Sequence, residues 1–384
     1  MRGRPFAAVV LALIAACQET ATDPPAAAPS LSEVLAAAPS AEACLPADVI
    51  VSDWSGLQAA IQGASQVTAI AGTIEVPDGV VENVVGQTLT CADPGAALSL
   101  NGSLTLSGGP ITLEGLTVLG GPGPFRISAW PDTPIRVARN MFVAYGAGSQ
   151  LIVDNAEAAA IVENVFLAPS GLGGLQLWVS NSHAPRILGN TFSTVGYSLS
   201  QLILHQTTDF EVRNNQFQSS EATVFSAIHV QAYGLWSGQT AGWISGNAIE
   251  TQAPSSAGPS RGYGIGLATN KSTGLVVTDN SVLGPWASSL RSAGCGGDWT
   301  HNTIDGGDLV ADVYLSSLSC DNRVLARLGQ PAIGFGLFGP QINVMDLGTG
   351  NTILGAANIK RGTEVAPPFK DLDVFCPPGH QCTP

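Results

Sequence analysis

Asn140-Met141-Phe142, Asn164-Val165-Phe166, Gly189-Asn190-Thr191-Phe192 and Asn215-Gln216-Phe217 are one pattern written four times. An Asn is followed two residues later by a large apolar side chain, and the pattern continues at Asn247/Ile249, Asn280/Val282 and Asn302/Ile304. Successive Asn lie 24, 26, 25, 32, 33 and 22 residues apart, and Leu116-Thr117-Val118, 24 before Asn140, is an earlier copy without the Asn. A period near 25 with alternating Val, Leu and Ile accommodates a few short strands and turns, so each copy reads as one coil of a solenoid. The expected class is all-β, a single-stranded right-handed parallel β-helix. Asn tolerates the left-handed backbone of a sharp turn, and stacked coils let its amide bond to the Asn of the next coil. The apolar residue re-enters the interior and stacks on its copies. These Asn are read as structural, and none is a candidate site residue.

Composition agrees with that class. The chain of 384 residues holds 45 Gly and only 11% charged residues, which suits many short strands and turns rather than helices. Trp54-Ser55-Gly56-Leu57-Gln58-Ala59-Ala60-Ile61 carries apolar residues at helical spacing. A short helix over 54–63 would cover the strand edges of the first coil.

A second register follows from the alternating strands. Leu177, Leu202, Ile228, Ile265, Leu290 and Leu315 are expected at equivalent inward positions. The next position in each coil then points outward, giving the column Trp178, Ile203, His229, Gly266, Arg291, Ser316. Gly266 leaves a gap between His229 and Arg291, two coils or ~9.6 Å apart, with His205 and Gln231 in the neighbouring outward column. Coils between Asn215 and Asn280 are long, with extra residues at about 231–242 and 251–262. Solenoid insertions become loops, often on a binding face. These loops and their edges carry Tyr233, Trp236, Trp243, Arg261 and Tyr263. A sugar acid could lie over Gly266 with its carboxylate on Arg291 and with His229, helped by His205, as base. The ligand-binding candidates are Trp178, Gln231, Tyr233, Trp236, Arg261, Tyr263 and Gly266. The competing reading is an ordinary polar sheet surface.

The helix before the first coil, coils of about 25 residues and the Gly-Asn-x-Phe form at Gly189–Phe192 together resemble the pectate-lyase-like superfamily, over about residues 50–330. The resemblance implies the fold but not an activity, because lyases, hydrolases, epimerases and adhesins share it. The hydrolases of that superfamily use an Asp-Asp pair, Gly-His-Gly and Arg-Ile-Lys; this chain has none of them, and Ile359-Lys360-Arg361 only scrambles the last. Asp298-Trp299-Thr300-His301 echoes a pectate-lyase segment in the wrong order, and the epimerase motif Asp-Pro-His-Asp is missing. No catalytic set transfers.

At the N-terminus, Arg2 and Arg4 precede an apolar run from Phe6 to Ile14, and Ile14-Ala15-Ala16-Cys17 resembles a bacterial lipobox. The expected layout is a signal peptide over 1–16, a tether over 17–46 lipidated at Cys17, a β-helix over 47–330, and a C-terminal cap and tail over 331–384. Gln18 after the Cys points to the outer membrane or cell surface. Removal of the leader would take the formal charge from −14 to −16, and no Lys/Arg cluster offers a surface for nucleic acid. Six Cys remain besides Cys17, an even count that fits disulfides in an exported chain. The favoured pairs are Cys44–Cys91, Cys295–Cys320 and Cys376–Cys382, the middle pair because its two segments align one coil apart. The five His show no close pairing, and no metal site or cofactor is expected. The expected protein is a monomeric, surface-anchored lipoprotein that binds polysaccharide or a cell-surface partner without catalysis. The alternative is a lyase or glycoside hydrolase acting on acidic polysaccharide through His229, Arg291 and His205.

Overall fold

The structure, a computed structural model, describes residues 41–375 with breaks at 64, 85, 132, 145–149, 170–174, 196–197, 220–223, 233–239, 252–261, 270–271, 287, 301, 308–311, 317–318, 327–341, 356 and 362–372. The chain winds through three sheets in turn. One coil runs Ala160–Val162 in sheet A, Val165–Ala168 in sheet B, Leu177–Ser180 in sheet C, then Arg186–Leu188 back in sheet A. Among the described residues, sheets A and C each hold 13 strands and sheet B holds 10. Each strand pairs in parallel with its counterpart one coil away, so the expected parallel β-helix is the fold. The parallel ladder continues past residue 330: Ile342–Asp346, Thr352–Gly355 and Ala357–Arg361 extend sheets C and A, and Asp373–Phe375 closes sheet C antiparallel.

Burial follows the strand period of two. In sheet B the repeat positions Phe142, Phe166, Phe192, Phe217, Ile249, Val282 and Ile304 are register partners from coil to coil. The four Phe stack with centroids 4.6–4.9 Å apart and nearly parallel planes, and Phe125 adjoins them at 6.3 Å. Centroid spacing equals strand spacing, so each ring continues its neighbour's packing surface instead of opening a void.

The corner from sheet A to sheet B holds the coils in register. Here the expectation is corrected: the left-handed residue is not the Asn but the one before it. Gly115, Arg139, Glu163, Gly189, Asn214, Gly246 and Asp279 all have φ between 54° and 74°. That turn leaves the following backbone N–H inside the protein without a strand partner. The Asn of the next coil supplies one, as Asn140 N–H donates to Asn164 Oδ1 (3.0 Å), Asn164 to Asn190 (2.9 Å) and Asn190 to Asn215 (2.8 Å). From Asn140 to Asn280 each Asn Nδ2 donates to the same oxygen and to a sheet A carbonyl, for example Asn190 to Ile161 O at 2.8 Å. This main ladder runs to Asn302. Asn322 is outside it and starts a second short ladder at the corner before sheet A, donating to Asn351 Oδ1 at 2.9 Å and accepting from Gly297 N–H.

The first coil is covered by helix α1, Trp54–Gln62, which buries Leu57, Ala60 and Ile61. Asp53 accepts from Gly56 N–H at its start, and the Gln87 amide donates to the Ala60 and Ile61 carbonyls at its end. Both helix termini are therefore satisfied. Two of the expected disulfides form: Cys44–Cys91, tying the segment before the first strand to sheet A, and Cys295–Cys320, joining adjacent coils. They mark a protein of an oxidising compartment. Cys17, Cys376 and Cys382 lie outside the described residues. No helix among the described residues is long and apolar enough to cross a membrane.

Replacing Asn190 with Ala removes the acceptor used by Asn164 N–H and Nδ2 and the amide donor to Ile161 O. The expected loss is on the order of 3 kcal/mol in urea unfolding, whereas Ser193→Ala on the outer side of the same coil should stay within about 0.5 kcal/mol.

Candidate functional site on the outer face of sheet C

Sheet C has a local irregularity that sets what its outer face presents. At its entry two consecutive residues point toward the interior. In three coils the first is Gln: Gln176 Nε2 donates to Phe166 O and Ser193 O, and Gln201 Nε2 to Gln218 O. Gln150 bonds Leu167 O in the same way. The second is the apolar residue of the expected column, with Leu177, Leu202, Ile228, Ile265 and Leu290 register partners and fully buried.

The outward column then reads Trp178, Ile203, His229, Gly266 and Arg291, as the sequence predicts, and Ile152 precedes Trp178 in it. The last step differs. Leu290 pairs with Val313, not Leu315, so Arg291 is followed by Tyr314, not Ser316. Two extra residues between Leu315 and Cys320 restore the alignment, and Cys295 pairs with Cys320 as expected. Trp178 and Tyr314 stand five coils apart, a strip of ~24 Å.

At one end of the strip the Arg291 guanidinium lies 4.5 Å from the centroid of Tyr263 and 5.8 Å from that of Tyr314. Two electron-rich faces hold the cation without neutralising it. Among the described residues Arg291 Nε is buried with no hydrogen-bond acceptor. In the middle, the expected open gap is partly filled: a Cβ on Gly266 would lie 3.2 Å from His229 Nδ1 and 3.9 Å from Tyr263 Cβ. Only a glycine lets the imidazole lean across this strand. At the other end Trp178 and His205 meet edge to face, 6.1 Å apart at 90°. Trp178 Nε1 and His205 Nδ1 are both buried without a partner among the described residues. Gln231 stands beside His205, as expected.

The face is less exposed than an ordinary sheet surface. His229 and Ile203 are 9% exposed and Tyr314 is 8%. The His229 imidazole is lowered to about 4, by burial first and then by the nearby Arg291 charge, against a hydrogen bond with the Gln231 side chain. His205 is also lowered, by burial first and against the pull of Asp154. Asp154 is taken up by Ser180 Oγ (2.8 Å) and Asn181 Nδ2 (2.9 Å). Among the described residues the strip from Trp178 to Tyr314 therefore offers one cation, neutral imidazoles and aromatic surface. Tyr233, Trp236 and Arg261 lie outside the described residues. Trp243 does not belong to this face: it pairs with Glu211 on sheet A and is 56% exposed there.

No protein-family model and no curated protein matches this chain. Among solved structures it is similar to an alginate lyase from Paenibacillus sp. str. FPU-7, with 14% identity over 82% of this chain and 97% of the other, at a TM-score of 0.35. The A-module of the mannuronan C-5 epimerase AlgE4 of Azotobacter vinelandii matches at 13% identity over 84% and 96%, TM-score 0.38. The Streptococcus pneumoniae surface protein and adhesin PfbA matches at 12% identity over 83% and 97%, TM-score 0.28. Likeness at this level says nothing of the chemistry of the strip.

The depressed His229 value has a stability consequence. Between about pH 4 and 6.5 the unfolded chain holds a proton at this His that the folded chain does not, so stability rises with pH across that window and is complete above it. Lowering the pH from 7 to 5 should cost the native protein about 2 kcal/mol more than it costs His229→Gln, read as the shift in urea midpoint.

Proposed function

We propose that the protein is an exported glycan-binding β-helix that holds an acidic polysaccharide along the outer face of sheet C without cleaving it. In this reading the chain is lipidated at Cys17 and held at the outer membrane or cell surface by the tether over 17–46. The observation that carries the proposal is Arg291, kept charged between Tyr263 and Tyr314 beside a strip that runs to Trp178. A carboxylate can bond the edge of a guanidinium whose faces are covered by rings, and sugar rings can lie against aromatic surface at either end. Cleavage is disfavoured by the same groups. A buried imidazole lowered to about 4 is a weak base at neutral pH, and among the described residues no carboxylate occupies the column from Ile152 to Tyr314.

Affinity electrophoresis through polygalacturonate and alginate provides the test. The native protein should be retarded in at least one of them, and Arg291→Ala should weaken that binding about tenfold, a loss of ~1.4 kcal/mol. Trp178→Ala should weaken it less. Ultraviolet absorbance from unsaturated chain ends, lost in His229→Ala, would replace this reading with a lyase. Absence of retardation in both polymers would remove it.

A further inference from the structure

The corner from sheet C to sheet A carries a second set of polar groups, away from the strip. Three coils make this corner in the same way, with left-handed residues at Asn155 and Ala158, at Asn181 and Ala184, and at Gln206 and Asp209. The residue between them points outward, and Glu157, His183 and Thr208 stack as parallel bridges. His183 Nδ1 lies 2.9 Å from Thr208 Oγ1 and 3.2 Å from Asp209 Oδ2, while its Nε2 lies 3.8 Å from Glu157 Oε1. These side chains remain about half exposed.

One coil earlier the chain leaves sheet C differently. Trp130-Pro131 replaces the two-turn corner, and Thr133 bonds back to the Trp130 carbonyl through both its N–H and its hydroxyl. Where the two kinds of corner meet, a groove of about 480 Å³ opens, lined by Ala129, Pro131, Asn155, Glu157, Asn181 and His183. Trp130, between Ala129 and Pro131 in the chain, does not itself line the groove and is 46% exposed. An exposed aromatic ring next in sequence to a polar groove offers a face on which a sugar ring can stack.

The lining decides the ligand class. It offers amide donors and acceptors, an imidazole and a carboxylate, with Asp209 adjoining, but no Lys or Arg. The Asn155 and Asn181 amides each donate to Asp154 (3.2 and 2.9 Å), which leaves each a second N–H and a carbonyl oxygen to offer. An anionic sugar would be repelled, and an apolar ligand would strip water from these groups. Hydroxyl groups, each donor and acceptor at once, match them. We infer that this groove is a second glycan site, selective for uncharged sugars, with one ring stacked on Trp130 and the next bonded through its hydroxyls to Asn155, Asn181, Glu157 and His183. It does not depend on the strip at Arg291, and the two sites differ in the charge they accept.

Affinity electrophoresis of the full chain through galactomannan, xyloglucan, mixed-linkage β-glucan and dextran, with polygalacturonate as the anionic arm, separates the two. At least one neutral polymer should retard the native protein. Trp130→Ala should weaken that binding tenfold or more, His183→Ala several-fold, and Trp130→Tyr should restore most of it. Arg291→Ala should leave binding of the neutral polymer within twofold while acting on the anionic arm alone. Because His183 is half exposed, His183→Ala still tests the site if Trp130→Ala does not fold. The inference is overturned if no neutral polymer binds, or if binding is unchanged in both Trp130→Ala and His183→Ala.

Discussion

At the seven passages from sheet A to sheet B between Gly115 and Asp279, a left-handed residue turns the chain and leaves the next backbone N–H pointing into the protein. A buried donor without an acceptor costs about 1–3 kcal/mol, and from Leu116 to Asn280 the main ladder leaves seven such donors to satisfy. The Asn side chain of the following coil is the acceptor each time. Because that bond connects residues one coil apart, it fixes coil height and register together. A slip of one residue would break the ladder and turn every Phe of the stack outward.

The outer face inherits its order from that register. Trp178, His229, Gly266, Arg291 and Tyr314 lie in one column only because the coils beneath cannot slide. Spacing along the solenoid axis is set by strand pairing, so side chains from distant parts of the sequence are held at fixed intervals on a rigid sheet. The same holds at the neighbouring corner, where Glu157, His183 and Thr208 stack by backbone bridging. Arg291 and the His183 groove thus stand on one scaffold with opposite electrostatic preference.

Much of the fold is legible in the sequence because its strongest signal is repetitive and chemically specific. An Asn with a large apolar residue two positions on, recurring seven times in step, fits a stack of coils and little else. The inward column of sheet C is equally legible up to Leu290. It fails at Leu315 because a two-residue insertion lies between that strand and Cys320, and matching the two Cys conceals it. With the register goes Tyr314, one of the two rings holding Arg291, although the alternation Val313-Tyr314-Leu315 carries the signal. The Gln150, Gln176 and Gln201 column is hidden because Gln at a strand entry looks like any surface residue until its amide is seen bonding interior carbonyls. His183 is hidden for a related reason: its partners lie 25 or so residues away, and nothing in its own segment marks them.

Hydrogen exchange followed by mass spectrometry on the native protein tests the ladder most directly. If the Asn side chains satisfy the buried corner amides, the N–H groups of Asn164, Asn190, Asn215 and Asn247 should exchange only with global unfolding, as slowly as the central strands of sheet B. Exchange of those amides as fast as the exposed turn residues Asp78 and Gly79 would mean that the Asn side chains do not hold the corners.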